Sequence, residues 1–165
     1  MDEELRRKSC VITGHRRLPA GQLSRITDEA ERQVERLLGQ GVEHFFIGGA
    51  LGFDMLAAYL LLNLREVHPQ LQVTFVLACL EQDRLWSHRD RMRYQKLYKQ
   101  ANTLVLLQDR YTQGCMLARN RYMVDRAAIC LAYWTHSVRS GTANTVAYAR
   151  RNGLDIVNVA PSGAL

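Results

Sequence analysis

Six short apolar runs, rich in β-branched and aromatic residues, recur along the chain at residues 10–13, 45–47, 73–77, 103–107, 129–133 and 156–159. Each is continuous in hydrophobicity. A strand with one wet face would alternate, whereas a strand covered on both faces stays apolar throughout. Helical patterns fill the gaps. Leu23, Ile26, Ala30, Val34, Leu37 and Leu38 form a 3.6-residue stripe closed by Gly39 and Gly41. Residues 55–64 are apolar nearly all round. Residues 83–100 are polar and basic, with Leu85, Trp86, Met92 and Leu97 free to pack. Residues 116–126 read as a shorter helix, and residues 142–151 run from a cap to a stop at Asn152-Gly153. The alternation predicts an α/β protein. Its expected form is a Rossmann-like three-layer α/β/α sandwich with a mostly parallel sheet of about six strands, ordered 3-2-1-4-5 with the sixth beyond. A chain of 165 residues is one domain's worth, and no linker or repeat divides it. One domain over residues 1–165, with its core at about 9–160, is therefore expected.

Ligands of such sheets bind outside the carboxyl ends of the strands. Four loops should open there. The first holds Thr13-Gly14-His15-Arg16-Arg17, and the second Gly48-Gly49-Ala50-Leu51-Gly52-Phe53-Asp54. The others are residues 108–115 and 135–141. Glycines between a strand and a helix allow a close backbone approach, and the helix start favours an anion such as phosphate. The fingerprint GxGxxG is absent after the first run, and no acidic residue ends the second. That argues against an NAD dehydrogenase.

Bulk chemistry narrows the class further. Cys10, Cys79, Cys115 and Cys130 show no CxxC spacing, and the histidines are scattered, so no metal site is expected. The charged N-terminus lacks an apolar signal core, and no apolar run approaches the ~20 residues that span a bilayer. A reduced, cytoplasmic protein with no membrane partner follows as an expectation. The net charge is +6, nearly all of the basic residues being arginine. That balance suits phosphate, carboxylate or nucleic acid.

Single residues carry plainer alternatives. Ser140-Gly141-Thr142 can cradle a phosphate or simply cap a helix. Arg119, near the start of its helix and close to the Met116–Met123 face, can enter the rim or pair on the surface. Asp54 suits a helix N-terminus, whereas Asp125 sits where the dipole disfavours it and wants an arginine or ribose partner. His15 serves either as an acid–base group or as a rim hydrogen bond. Arg84, His88, Arg89, Arg91 and Arg93, with Trp86, Tyr94 and Tyr98, offer a solvated face or a single-stranded nucleic-acid path.

Taken in order, these motifs are more specific than any one alone. Thr13-Gly14-His15-Arg16 and Gly48 to Asp54 come first, then Gln82 with Trp86. Tyr111, Cys115-Met116, Arg119-Asn120 and Met123-Val124-Asp125 follow, and Gly141-Thr142-Ala143-Asn144-Thr145 ends the set. The combination, from about Cys10 to Val159, resembles the YpsA/YoqJ-like branch of the SLOG superfamily. That superfamily includes phosphoribohydrolases with MxxRxxxM and PGGxGTxxE segments, DNA-processing proteins, and predicted sensors of nucleotide-derived ligands. Met116, Arg119 and Met123 match the first segment. In the second, Ser140 stands where the hydrolases have glycine and Thr145 where they have their glutamate. Threonine cannot supply the negative charge that an oxocarbenium-like state requires.

The resemblance implies binding or sensing of a nucleotide-derived small molecule, without a resident cofactor, by a homo-oligomer such as a dimer. Expected ligand-binding residues are Gly14, His15, Arg16, Gly48, Gly49, Ala50, Asp54, Arg119, Asn120, Asp125, Gly141, Thr142, Asn144 and Thr145. Were the protein instead a phosphoribohydrolase, Arg119, Asp125 and Asp54 are the candidate catalytic groups. Single-stranded nucleic-acid binding is the third expectation.

Overall fold

The apolar runs become strands: β1 (Ser9–Gly14), β2 (His44–Ile47), β3 (Gln72–Leu77), β4 (Thr103–Leu106), β5 (Ile129–Tyr133) and β6 (Asp155–Asn158). The structure, a computed structural model, describes residues 1–136 and 139–161. Residues 137 and 138 of the loop after β5, and residues 162–165, lie outside the described residues. All strand pairs are parallel, in the order β4-β3-β2-β1-β5-β6. The α/β class, the parallel sheet and the strand count match the sequence expectation.

The strand order does not. The expected order set the fourth strand beside the first. Instead β4 pairs with β3 at the sheet edge, Leu104 opposite Phe75, and β5 lies beside β1. Burial gives the physical reason. A central strand must be covered on both faces, and Cys130, Leu131 and Ala132 of β5 are wholly buried. Leu104 and Leu106 of β4 stay 49% and 39% exposed, which only an edge tolerates.

Six α-helices flank the sheet: α1 (Glu3–Arg7), α2 (Leu23–Gly39), α3 (Phe53–Leu64), α4 (His88–Tyr98), α5 (Cys115–Val124) and α6 (Gly141–Arg151). Successive strand residues point to opposite faces. Cys10, Ile12, Phe45 and Ile47 meet α2, α3 and α4 in one core. Val11, Phe46, Cys130 and Ala132 meet α5 and α6 in the other. Helix α3 is apolar nearly all round because it packs against the sheet, α2 and α4, leaving Tyr59 and Asn63 exposed.

Helix α4 is shorter than its pattern suggested. The Ser87 hydroxyl accepts the Asp90 amide at 3.1 Å and caps it, leaving the segment before it in turns. Its aromatic residues face inward. Trp86, Tyr94 and Tyr98 form an edge-to-face run with ring centroids 5.0 Å apart, packed on the core. The arginines remain outside. The five-residue α1, unforeseen in the charged N-terminus, is capped by Asp2 and carries Glu3–Arg6 and Glu4–Lys8 ion pairs.

The revised order has one consequence for function. A connection from β4 to β5 must pass over β3, β2 and β1, and α5 is the element that crosses. Its first turns therefore lie over the carboxyl end of β2, where Gly48 begins.

Candidate functional site

The rim is assembled by close backbone contact between loops. The His15 amide donates to the Tyr133 carbonyl at 3.2 Å, and the Phe53 amide donates to the His15 carbonyl at 3.1 Å. The loop after β1 is thus clamped between the end of β5 and the start of α3. Gly52 makes this possible. Its φ is +82°, and a Cβ there would collide with the Arg16 carbonyl.

The glycine-rich loop after β2 has polar groups engaged by its own protein. The Gly48 carbonyl accepts from Arg119 Nη1 at 2.9 Å and from Gln82 Nε2 at 2.8 Å. The Ala50 amide donates to Asp54 Oδ2 at 3.1 Å. A Cβ on Gly48 would stand 2.6 Å from Arg119 Nε, so the missing side chain admits the guanidinium. Gly49 faces Tyr94 and Phe75.

Arg119 is only 5% exposed. Its Nε and Nη2 both donate to Asn120 Oδ1, at 3.2 and 3.1 Å. Asn120 in turn donates to Thr145 Oγ1 at 3.0 Å, and Thr145 donates to the Gly141 carbonyl at 2.9 Å. Thr145 thus tethers α6 to α5 and orients the amide that orients Arg119. These bonds use three of the five N–H groups of the guanidinium. No ion pair among the described residues includes Arg119 or Asp54.

Asp54 is 4% exposed, and burial pushes its carboxyl up to about 6 against the pull of Arg119, the Ala50 amide and Arg16. Burial likewise lowers the pKa of Arg119, while Asp54 and Tyr94 oppose that shift. A buried cation and a protonatable carboxyl therefore share one wall without direct contact.

The opposite wall is the start of α6. Ser140 Oγ accepts the Ala143 amide at 2.9 Å and caps the helix. The Gly141 and Thr142 amides find no acceptor among the described residues. A Cβ on Gly141 would meet nothing within 4 Å. His15 completes the rim. Its Nε2 accepts the Thr135 amide at 3.0 Å, which leaves the proton on Nδ1. Its ring stands edge-on to Tyr133, and burial lowers its pKa.

Together these walls enclose a cleft of about 540 Å³. Of the sequence candidates, Gly14, His15, Arg16, Ala50, Asp54, Arg119, Asn120, Gly141 and Thr142 line it. Gly48 and Thr145 bond to lining residues from behind. Gly49 and Asn144 are not in the lining, nor is Asp125. Asp125 caps the far end of α5, exposed, and accepts the Tyr148 hydroxyl at 2.8 Å, which answers its unfavourable helix position.

Thr13, Arg17, Met116, Thr135 and Ser140 also line the cleft. All five belong to the rim loops or motifs that the sequence points to, without being singled out there as ligand-binding. Gln82 earns a structural role that its place after a buried strand hints at: it accepts the Ala78 amide and donates to Gly48. A larger groove of about 940 Å³ runs along α2 and α3, lined mostly by aliphatic residues such as Leu23, Met55 and Leu60, and it shares only Arg16 with the cleft. Among the described residues there is no group of His, Cys, Asp or Glu able to hold a metal, and no helix long and apolar enough to cross a membrane.

Comparison with known proteins places the chain. A family model described as the YspA SLOG family matches residues 10–160. The chain is similar to the uncharacterised SPbeta prophage-derived protein YoqJ of Bacillus subtilis, at 27% identity over 143 residues, 79% of this chain and 83% of that protein. It is similar to a UPF0398 protein of Halalkalibacterium halodurans at 28% identity, covering 73% and 68%. Among solved structures, it resembles DNA processing protein A from Helicobacter pylori, described for its single-stranded DNA binding mode. The TM-score there is 0.62 at 18% identity, covering 94% of this chain and 67% of that one. DNA processing protein A from Streptococcus pneumoniae gives a TM-score of 0.63 at 14% identity, and the chain spans half of its length. At these identities the likeness is one of fold.

Proposed function

The chain belongs to the YspA SLOG family, and from that premise we propose that its cleft binds the phosphate of a nucleotide or nucleotide-derived ligand. One observation carries the reading: Arg119 is a buried guanidinium with no ion pair among the described residues, lining a cleft at the carboxyl edge of a parallel sheet. Burying a cation costs several kcal/mol unless it is paired, and a phosphate oxygen supplies the missing charge. The Gly141 and Thr142 amides and the Thr142 hydroxyl stand on the opposite wall as further donors. Arg16, exposed at the mouth, draws anions inward. Asp54, which lines the same cleft, would accept a ribose hydroxyl in this reading.

Thermal-shift measurements with AMP, ADP-ribose, NAD and cyclic nucleotides test this. A ligand at a hundredfold excess over its Kd stabilises by about 2.7 kcal/mol, a shift of several degrees for a chain this size. Arg119→Met should abolish the shift. No stabilisation of the wild-type protein by any of these compounds would overturn the reading.

A second reading, N-glycosidic hydrolysis of a nucleoside monophosphate, is favoured by Asp54. It is the carboxyl in the cleft, while Asp125 is at the other end of α5. Chromatography for released base, lost in Asp54→Asn, checks it. Total inactivity on purine and pyrimidine monophosphates leaves binding alone. The fold shared with DNA processing protein A also admits a nucleotide within single-stranded DNA as ligand. The cleft is then the place to look, since α4 keeps its aromatics inside. Binding that weakens steeply with salt distinguishes the polymer from a mononucleotide.

A further inference from the structure

Outside the two main cores lies a small third cluster in which Cys79 and Cys115 pack together with Ala78. Burial, and then the neighbouring Cys115 thiol, raise the pKa of Cys79. Both stand at the carboxyl edge. Cys79 lies two residues beyond the end of β3, in the segment whose Gln82 holds the Gly48 carbonyl. Cys115 is the first residue of α5, one turn before Arg119, which holds the same carbonyl. The pair thus joins the two segments that converge on Gly48.

Both thiols are buried, and Cys115 follows directly on an exposed loop, residues 111–114. Cys10 and Cys130 provide an internal contrast. They sit on adjacent strands, but Cys10 belongs to the core under α2 and α3, and Cys130 to the core under α5 and α6. The sheet separates their side chains.

We propose that Cys79 and Cys115 form a redox-responsive dithiol that hydrogen peroxide converts to an intramolecular disulfide, fastening the start of α5 to the loop after β3. The Cys115 thiolate attacks a peroxide oxygen. The O–O bond breaks, the leaving oxygen departs as water after protonation, and Cys115 becomes a sulfenic acid. The Cys79 thiol then attacks the Cys115 sulfur, loses its proton and expels a second water. Two thiols lose two electrons, and hydrogen peroxide is reduced to two waters. Closing sulfur contact to a bond of about 2.0 Å draws the first turn of α5 towards β3. The inference stands apart from the identity of any ligand.

The test treats the folded full-length chain with hydrogen peroxide, blocks remaining thiols with N-ethylmaleimide under denaturing conditions, and maps peptides by mass spectrometry without reductant. The expected product is one linked peptide pair joining Cys79 to Cys115, lighter by two hydrogens and separated by dithiothreitol, with Cys10 and Cys130 alkylated. Cys115→Ser and Cys79→Ser each eliminate it, and circular dichroism checks that each variant is folded. The wild-type result stands even if a variant fails to fold. Finding both residues alkylated, Cys115 over-oxidised with no linked pair, or Cys10 and Cys130 consumed at the same rate would overturn the proposal.

Discussion

Two glycine turns at the same rim are held in different ways. The turn of Gly48 to Asp54 has the stronger sequence signature of a phosphate cradle, yet its Gly48 carbonyl is held by Arg119 and Gln82 and its Ala50 amide by Asp54, so that the turn is braced by its own protein. The turn of Ser140 to Thr142 reads as an ordinary cap, and it does cap α6, yet its first two amides remain available among the described residues. A glycine after a strand therefore reports that something approaches closely, without saying what. At Gly48 the visitor is a side chain from α5. At Gly52 it is the backbone of the loop after β1. At Gly141 the space is open.

Substitutions can break or sharpen that contrast. The largest effect is expected from Gly52→Ala, where a positive φ and a backbone collision coincide. A cost on the order of 3 kcal/mol or more should show in urea denaturation, and a cost below 1 kcal/mol would mean that the loop interlock is dispensable. Asp54→Asn should act in the other direction. The folded protein holds the Asp54 proton more tightly than the unfolded chain, from an ordinary value of 3.8 up to about 6. The resulting stabilisation is present below about pH 4 and is lost as pH rises through 6, where the ionised carboxylate becomes a penalty. Asparagine removes that penalty while still accepting the Ala50 amide. Thermal melts should show a gain of about 1–3 kcal/mol at pH 7.5 and none near pH 4. Equal melts at both pH values would place the carboxyl in a wetter setting than the structure gives it.

Smaller changes belong to the second turn. Ser140→Ala removes the cap bond to Ala143 and should cost about 1 kcal/mol in denaturant melts. Gly141→Ala meets no neighbour and should stay within about 0.5 kcal/mol of wild type. If this variant melts normally but no longer responds to nucleotide, the α6 turn is the ligand side of the cleft. A normal response assigns the anion to the Arg119 wall alone.

Much of this was legible beforehand because it depends on local chemistry. The continuous apolar runs mark strands of a parallel sheet, although β4 at the edge is left part-exposed, and the Leu23–Leu38 stripe marks a helix on a core. Nine of the fourteen proposed ligand residues line one cleft because carboxyl-edge loops converge in any such sheet. A single-helix argument about dipoles leaves Asp125 in want of a partner, and the structure supplies one in Tyr148 on another helix. In the sequence Thr145 is only the absence of a carboxylate. Its positive role, holding Asn120 and through it Arg119, needs the packing of α5 on α6.

What the sequence determined by itself was the kind of object: strand and helix in alternation, a parallel sheet, an arginine and glycine rim, and kinship to a family. These follow from periodicity, composition and motif order, each of which is read along the chain. Tertiary structure alone decided that β4 lies at the edge, so that α5 crosses three strands and buries Arg119 against Gly48. The fourth and fifth runs are alike in hydrophobicity. Their places are set by which strand can be covered on both faces, a property of the assembled sheet and not of either run.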